Sequence, residues 1–280
     1  MLTPTNPSRS PSWRRRLAAG AVAAVAVTLM PAAGAQARPT HPPGPTVVLV
    51  HGAWADASGW SGVVRRLQAH DLRVTTYANP LRSLSTDAAG LRQYLDSLDG
   101  PIVLVGHSYG GAVITNAATG DPDVEALVYV DAFAPDEGQS AFQLAGPDSA
   151  LAVADPTTVF DLVPPTLPPT GASDLYLEPA TFLSAFANGV DAEDAAVLAS
   201  TQRPVTLGAL TEPSGVPAWR TIPSWYLVGT EDQIIPPSAQ RAMAEHAGSS
   251  VCEFSAGHLG LVSDPGAVAD VVLQAVKATR

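Results

Sequence analysis

The chain has 280 residues, of which 46% are hydrophobic and 15% charged, which suffices for one domain with a large buried core. Its formal net charge of −11 disfavours a nucleic-acid partner, because an acidic surface repels phosphate. The single cysteine, Cys252, excludes a disulfide within the chain, and the six scattered histidines show no zinc-type spacing. We therefore predict neither a metal site nor a cofactor.

The first 37 residues have the pattern of an export signal. Arginines 14–16 precede an uncharged apolar stretch, 17–30, and small residues up to Ala35 or Ala37 offer cleavage sites. The apolar stretch is short for a membrane span, so we expect no stable membrane anchor after processing. Cleavage would remove four of the 15 basic residues and leave 11 against 26 acidic ones, a net charge of −15. We predict a secreted or extracytoplasmic protein, by the Sec or the twin-arginine route. The sequence does not determine its oligomeric state.

From residue 46 onward, apolar strand-like runs alternate with helical patterns. Buried strands that alternate with helices predict an α/β fold, with a mostly parallel, doubly wound sheet covered on both faces. The predicted strands are 46–50, 73–77, 102–105, 126–130, 224–228 and 250–254, and the predicted helices are 58–69, 83–98, 112–118, 238–246 and 265–278.

Residues 133–222 interrupt this alternation. The segment is rich in proline, alanine and acidic residues, and two proline pairs exclude a continuous helix through its middle. Short helices are predicted at 179–188 and 192–200. Because the segment is too long for a plain connection, we predict a mainly helical cap inserted into one domain that spans 38–280.

The motif Gly106-His107-Ser108-Tyr109-Gly110 lies between the third predicted strand and a helical pattern. This G-x-S-x-G arrangement is typical of a sharp strand-to-helix turn that presents a serine hydroxyl at the end of a sheet. Glycines on both sides permit the cramped backbone that such a turn requires. A serine hydroxyl becomes a good nucleophile only when a base takes its proton and a third group orients the base.

Two later loops supply candidates for the base and for its orienting acid. Asp232 follows the fifth predicted strand and His258 follows the sixth, so both fall at the carboxyl edge of the predicted sheet. Glu231, the neighbour of Asp232, and Asp131, at the end of the fourth strand, are alternatives for the acid. We predict Ser108, Asp232 and His258 as the catalytic residues.

Two backbone N–H groups are predicted to form an oxyanion hole, those of Tyr109 and of Ala53 in the loop after the first strand. Few positive charges occur in the cap, which favours a neutral substrate. The aromatic candidates for an apolar substrate pocket are Trp54, Phe142, Tyr176, Phe182, Phe186 and Trp219.

Four motifs together resemble those of the α/β-hydrolase fold family: 50–54 (VHGAW), 106–111 (GHSYGG), 227–232 (LVGTED) and 257–258 (GH). The resemblance covers the chain from residue 45 to the C-terminus. It is greatest with a small bacterial esterase-like branch, which is related to plant hydroxynitrile lyases and methyl-ester esterases. It implies the triad and oxyanion residues given above, and a serine hydrolase that cleaves a carboxylic ester or lactone through an acyl-enzyme. Together with the export signal and the few positive charges of the cap, we predict a secreted enzyme that acts on a small neutral or apolar substrate.

The sequence also departs from parts of that family. The plant lyases carry a lysine beside the catalytic histidine, whereas Leu259 follows His258 here and Lys277 is the only lysine, which disfavours cyanohydrin cleavage. Dehalogenases and epoxide hydrolases of this fold use an aspartate where this chain has Ser108. The same triad could also serve lyase, perhydrolase or cofactor-free oxygenase chemistry, or the fold could bind a small molecule without catalysis.

Overall fold

The computed structural model describes residues 44–279. The predicted export signal, 1–37, lies outside the described residues. No helix within 44–279 combines the length and the apolar character that crossing a membrane requires.

A six-stranded sheet forms the centre of the described chain, in the order β2-β1-β3-β4-β8-β9, and every neighbouring pair in it is parallel. This confirms the prediction of a mostly parallel, doubly wound sheet. The strands of residues 44–279 are β1 (Thr46–Val50), β2 (Arg73–Tyr77), β3 (Ile102–Ser108), β4 (Val124–Ala132), β5 (Phe160–Val163), β6 (Asp174–Leu177), β7 (Val205–Thr206), β8 (Ser224–Gly229) and β9 (Ser250–Phe254).

Layers of helices on both faces bury the sheet. α3 packs on β1, β3 and β4 with α2 beside it, and α10 packs on β3, β4 and β8 with α1 beside it. Every residue of β1 and β3 is buried, as expected for strands covered on both sides. The helices of residues 44–279 are α1 (Ser61–Gln68), α2 (Leu84–Leu95), α3 (Tyr109–Ala117), α4 (Ala141–Ala145), α5 (Pro179–Thr181), α6 (Ala192–Thr201), α7 (Leu207–Thr211), α8 (Pro237–His246), α9 (Gly260–Ser263) and α10 (Pro265–Ala278).

Residues 133–222 carry α4 to α7, with a π-helical turn at Phe182–Phe186, and a small antiparallel sheet in the order β5-β6-β7. The regular secondary structure of the segment is mainly helical, as expected, but the sequence pattern did not indicate its three strands. They are only four, four and two residues long. Such short strands hold too few residues for an alternating pattern to stand out from irregular chain.

The loop after β2 connects the three-stranded sheet of β5, β6 and β7, called the cap sheet below, to the core. Arg82 pairs with Asp174 of β6 at 2.6 Å and donates from Nη2 to the carbonyl of Pro204 at 3.0 Å. Thr206 of β7 donates from Oγ1 to the carbonyl of Arg82 at 2.5 Å. These contacts attach the cap sheet to the loop that follows the carboxyl end of β2. In open α/β sheets, ligands bind beside the carboxyl ends of the strands.

Candidate active site

Ser108 lies at a strained turn between β3 and α3. It is the last residue of β3, and its φ of 54° and ψ of −127° are unusual for any residue except glycine. A Cβ at Gly106 would lie 2.7 Å from the carbonyl oxygen of Gly110 and 2.8 Å from the Cα of Gly111. Only glycine therefore lets α3 start this close to the strand. Strain of this kind, of order 1–3 kcal/mol, concentrates at functional sites.

A continuous hydrogen-bonded chain joins the three residues that the sequence analysis selected. Ser108 Oγ lies 3.0 Å from His258 Nε2, and His258 Nδ1 lies 2.8 Å from Asp232 Oδ2. All three side chains are buried. These partners assign the tautomer: Nδ1–H donates to the carboxylate, and Nε2 accepts from the serine hydroxyl. The geometry is the one in which histidine can take a proton from serine.

The carboxyl group of Asp232 is fixed in orientation by further donors. Its Oδ1 accepts from the backbone N–H groups of Ile234 at 2.8 Å and Ile235 at 3.0 Å. Its Oδ2, besides facing His258, accepts from Gln240 Nε2 at 2.8 Å. Sequence reasoning missed Gln240, because nothing in the local pattern of α8 distinguishes it from a surface glutamine.

The two alternative acids occupy different environments. Glu231 accepts a hydrogen bond from Ser255 Oγ at the surface. Asp131 is buried at a positive φ of 45°, and neither of its carboxyl oxygens has a hydrogen-bond partner among the described residues. Of the three candidates, Asp232 is the one whose carboxyl group bonds to His258.

Asp131 nevertheless has an electrostatic consequence. Burial, reinforced by the neighbouring Asp232 carboxylate, raises the pKa of Asp131 well above its usual range. The folded protein therefore keeps a proton on Asp131 at pH values where the unfolded chain has lost it.

We expect Asp131→Asn to stabilise the protein relative to wild type increasingly as the pH rises from 4 to 7. A carboxyl pKa raised by folding makes the free energy of unfolding of wild type decrease as the pH rises above about 4, and asparagine does not titrate. The relative gain should not exceed about 1.4 kcal/mol per pH unit. Urea unfolding of both proteins at the two pH values measures it. Exposed Asp194 provides the control Asp194→Asn, and a pH-independent difference for Asp131→Asn would contradict the raised pKa.

Two buried histidines hold the loops around the site. His107 donates from Nε2 to the backbone carbonyl of His258 at 2.9 Å, and burial lowers the pKa of His107 well below its usual range. His51 donates from Nδ1 to the carbonyl of Gly52 at 2.9 Å and accepts from the backbone N–H of Asn79 at 3.0 Å. Burial lowers the pKa of His51 to about 4. Both rings are thus neutral and act as fixed hydrogen-bonding braces.

The two N–H groups predicted for an oxyanion hole lie beside Ser108. Tyr109 is the first residue of α3, so its N–H has no acceptor within the helix. Ala53 lies in the turn after β1, and its N–H has no hydrogen-bond acceptor among the described residues. Gly52 is packed so closely that a Cβ there would lie 2.5 Å from the Cβ of Ser108. The turn that carries Ala53 is therefore in contact with the serine.

An unexpected buried acid anchors Tyr109. The hydroxyl of Tyr109 donates to Asp87 Oδ2 at 2.9 Å, and the Asp87 carboxyl group also accepts from the backbone N–H of Arg82 at 3.1 Å. Burial raises the pKa of Asp87 above its usual value. The sequence did hold a signal, since Asp87 lies three residues after Leu84 and four before Leu91, on the apolar face of α2.

A cavity of about 360 Å³ opens onto Ser108. None of the described residues that line it is charged, and Gln143, Ser149 and Ser108 are the polar side chains among them that present amide or aliphatic hydroxyl groups. This size and lining suit a small apolar molecule. The main apolar lining residues are Ala53, Trp54, Phe133, Phe142, Leu151, Phe160, Leu210 and Ile234.

Of the six aromatic residues predicted for a substrate pocket, Trp54 and Phe142 line this cavity and the other four do not. Phe182 and Phe186 are fully buried and do not line the cavity, and the ring centroids of Phe186 and His258 lie 5.1 Å apart. Tyr176 lies on the face of β6 opposite to its buried leucines. Trp219 packs 5.4 Å from the ring of His246, away from this cavity.

The described residues contain no group of three or more His, Cys, Asp or Glu side chains that could hold a metal ion.

The site has the arrangement of a hydrolase site. At one edge of the parallel sheet, the fold brings together a serine on a sharp turn, a histidine, an acid and two backbone N–H groups. Residues 47–271 match the sequence model of the alpha/beta hydrolase family, and the chain belongs to that family.

Individual relatives include esterases. A 112-residue stretch is 35% identical to a carbendazim hydrolyzing esterase of Nocardioides sp. (strain SG-4G), covering 35% of this chain and 46%, about half, of the esterase. The alpha/beta hydrolase nvfD of Aspergillus novofumigatus (strain IBT 16806) is 24% identical over 82% of this chain and 96% of its own. A solved extracellular alpha/beta-hydrolase from a Paenibacillus species has a TM-score of 0.69 and 24% identity, over 82% of this chain and 98% of its own.

Proposed function

We propose that the protein is an exported serine hydrolase that cleaves a neutral carboxylic ester or lactone through an acyl-enzyme. The observation that carries the proposal is the buried chain of hydrogen bonds from Ser108 Oγ through His258 to Asp232, at the wall of an apolar cavity. The similarity to an esterase supports ester hydrolysis. Export is inferred from the sequence of residues 1–37 alone.

In the first half of the proposed cycle, Ser108 Oγ attacks the substrate carbonyl while His258 Nε2 takes the hydroxyl proton. Asp232 keeps Nδ1 protonated and stabilises the imidazolium that forms. The N–H groups of Ala53 and Tyr109 donate to the oxyanion of the tetrahedral intermediate. Such donors act strongly because they are fixed before the reaction starts.

In the second half, His258 gives its proton to the leaving alcohol oxygen as the carbon–oxygen bond breaks, and Ser108 is left acylated. Water then attacks the acyl group and loses its proton to the same nitrogen. Collapse of the second intermediate returns the proton to Ser108 and releases the acid. For a lactone, the alcohol and the acid leave as one molecule.

The lining of the cavity supports a neutral substrate. A charged group would have to give up its hydration on entering a cavity whose described lining residues offer no counter-charge. Apolar acyl or alkoxy groups gain about 25 cal/mol for each Å² of apolar surface that they bury. We therefore place the preference among esters with apolar substituents.

Labelling with a fluorophosphonate tests the proposal. We expect one covalent adduct per chain, located on Ser108 by peptide mass spectrometry, with loss of p-nitrophenyl ester hydrolysis in proportion to labelling. Ser149 serves as an internal control, because it lines the same cavity but its hydroxyl donates to the carbonyl of Ile234 at 2.7 Å, with no histidine beside it. A folded protein that stays unlabelled, or ester hydrolysis that survives complete labelling, would refute the serine mechanism.

A further inference from the structure

Trp54, the residue after Ala53, has a backbone conformation that needs external support. Its φ is 55°, in the left-handed region that residues with a Cβ rarely adopt, and its side chain is almost completely buried. A bulky residue keeps such a conformation only where its surroundings over-determine it. Since Ala53 and Trp54 share one turn, whatever holds Trp54 also sets the direction of the Ala53 N–H.

The support for Trp54 comes from the cap. Its Nε1–H donates to the backbone carbonyl of Leu175 in β6 at 2.9 Å. Its ring stacks on Phe160 of β5, with centroids 5.9 Å apart and planes at 24°, and meets Phe186 edge to face at 5.8 Å and 88°. The cap therefore holds the indole by a hydrogen bond and by two aromatic contacts.

The cap sheet that holds Trp54 is itself tied to the core. Arg82 pairs with Asp174, the residue before Leu175, at 2.6 Å. The N–H of Thr206 in β7 also donates to the carbonyl of Leu81 at 3.1 Å. The carbonyl that receives the indole proton thus lies in a strand with its own anchors to the core.

We propose that Trp54 is a positioning residue that couples the cap to the oxyanion hole. Held by β5 and β6, the indole maintains the turn in which the Ala53 N–H faces the developing oxyanion. The inference rests on the proposed hydrolase function and extends it. The cap then contributes to stabilising the transition state, in addition to lining the cavity. A Trp54 that only filled space would affect stability and substrate binding instead.

The test compares Trp54→Phe with Trp219→Phe. Phenylalanine keeps an aromatic ring but removes the indole N–H. Trp219 is a matched control because its Nε1 also donates to a backbone carbonyl, that of Pro135 at 3.2 Å, and it does not line the cavity. The readouts are kcat and KM for a p-nitrophenyl ester and the affinities of two inhibitors. An alkyl trifluoromethyl ketone forms a tetrahedral adduct with serine, whereas the matching methyl ketone measures binding without an adduct.

For Trp54→Phe we expect kcat to decrease about tenfold, less than the 10²–10³ that follows loss of an oxyanion donor, because the N–H is misdirected rather than removed. KM and the affinity of the methyl ketone should change less than about twofold, while the affinity of the trifluoromethyl ketone decreases in parallel with kcat. Trp219→Phe should leave all four quantities unchanged.

Unchanged kcat and trifluoromethyl ketone affinity in folded Trp54→Phe would overturn the proposal, as would a loss shared equally by both ketones. If Trp54→Phe does not fold, Phe160→Leu, which removes the stacking partner but leaves the indole bond, must still weaken the trifluoromethyl ketone more than the methyl ketone, and an equal effect refutes the role. Wild-type protein that fluorophosphonate does not label at Ser108 would refute the hydrolase function itself, and this inference with it.

Discussion

Replacement of Ser108 by alanine is expected to lower kcat for a p-nitrophenyl ester by about 10⁴ to 10⁶-fold. The Ser108 hydroxyl is the group bonded to His258 Nε2, at 3.0 Å, and alanine leaves the imidazole with no side-chain hydroxyl to activate. The residual rate would come from water attack assisted by the Ala53 and Tyr109 N–H groups and by substrate binding.

The Ser108→Ala result can be separated from unfolding. Alanine carries the same Cβ as serine, so the φ of 54° remains as costly as before, and the melting temperature should change little. Ser224→Ala is a suitable control, because Ser224 is a buried serine near the start of β8 whose hydroxyl bonds to Ser249 at 2.7 Å. Activity of folded Ser108→Ala within tenfold of wild type would show that the nucleophile is a different group.

Asp232→Asn is expected to lower kcat by about 10⁴-fold at pH 7, by trapping the wrong tautomer of His258. Oδ1 of Asp232 accepts from the backbone N–H groups of Ile234 and Ile235, which can only donate. Oδ2 faces the side chains of Gln240 and His258, which can present an acceptor instead, so the single oxygen of an asparagine is drawn to the backbone side. The amide NH₂ then faces His258 Nδ1, which must accept and so lose its hydrogen. The remaining proton moves to Nε2, where it blocks proton transfer from Ser108.

Asp131→Asn is the matched control for this prediction. Both aspartates are buried beside the site, but the raised pKa of Asp131 keeps its carboxyl group protonated, so replacement by the neutral asparagine of similar shape should change kcat less than about threefold. Steady-state kinetics of both variants at pH 7, together with their unfolding curves, measure the difference. A loss in Asp131→Asn as large as that in Asp232→Asn would contradict the assignment of Asp232 alone as the orienting acid.

Much of the fold was predictable because its signals are local. The apolar runs of β1 and β3 bury every residue, and such runs between helical patterns suffice to predict a covered parallel sheet. The strain at Ser108 was readable from the flanking glycines, since a Cβ at Gly106 would collide with the start of α3. The chain order of serine, acid and histidine, each after a strand, then placed all three at one edge of the sheet.

The features that sequence reasoning missed or left open depend on contacts between distant parts of the chain. The acid that orients His258 was decided by the loop after β8, which brings Asp232 to Nδ1 and supports it with Gln240. The cavity lining was decided by how the cap docks, which buried Phe182 and Phe186 outside that lining and brought Phe160 into it.

The sequence by itself determined the strands of the central sheet, the serine turn and the set of candidate groups, because hydrophobic period and glycine sterics act between near neighbours in the chain. The tertiary structure alone decided which candidate acid meets His258 and which cap residues hold Trp54. The indole of Trp54 meets a carbonyl 121 residues away. Such a partner depends on strand order and cap docking, which are settled by the burial of the whole core rather than by any local pattern.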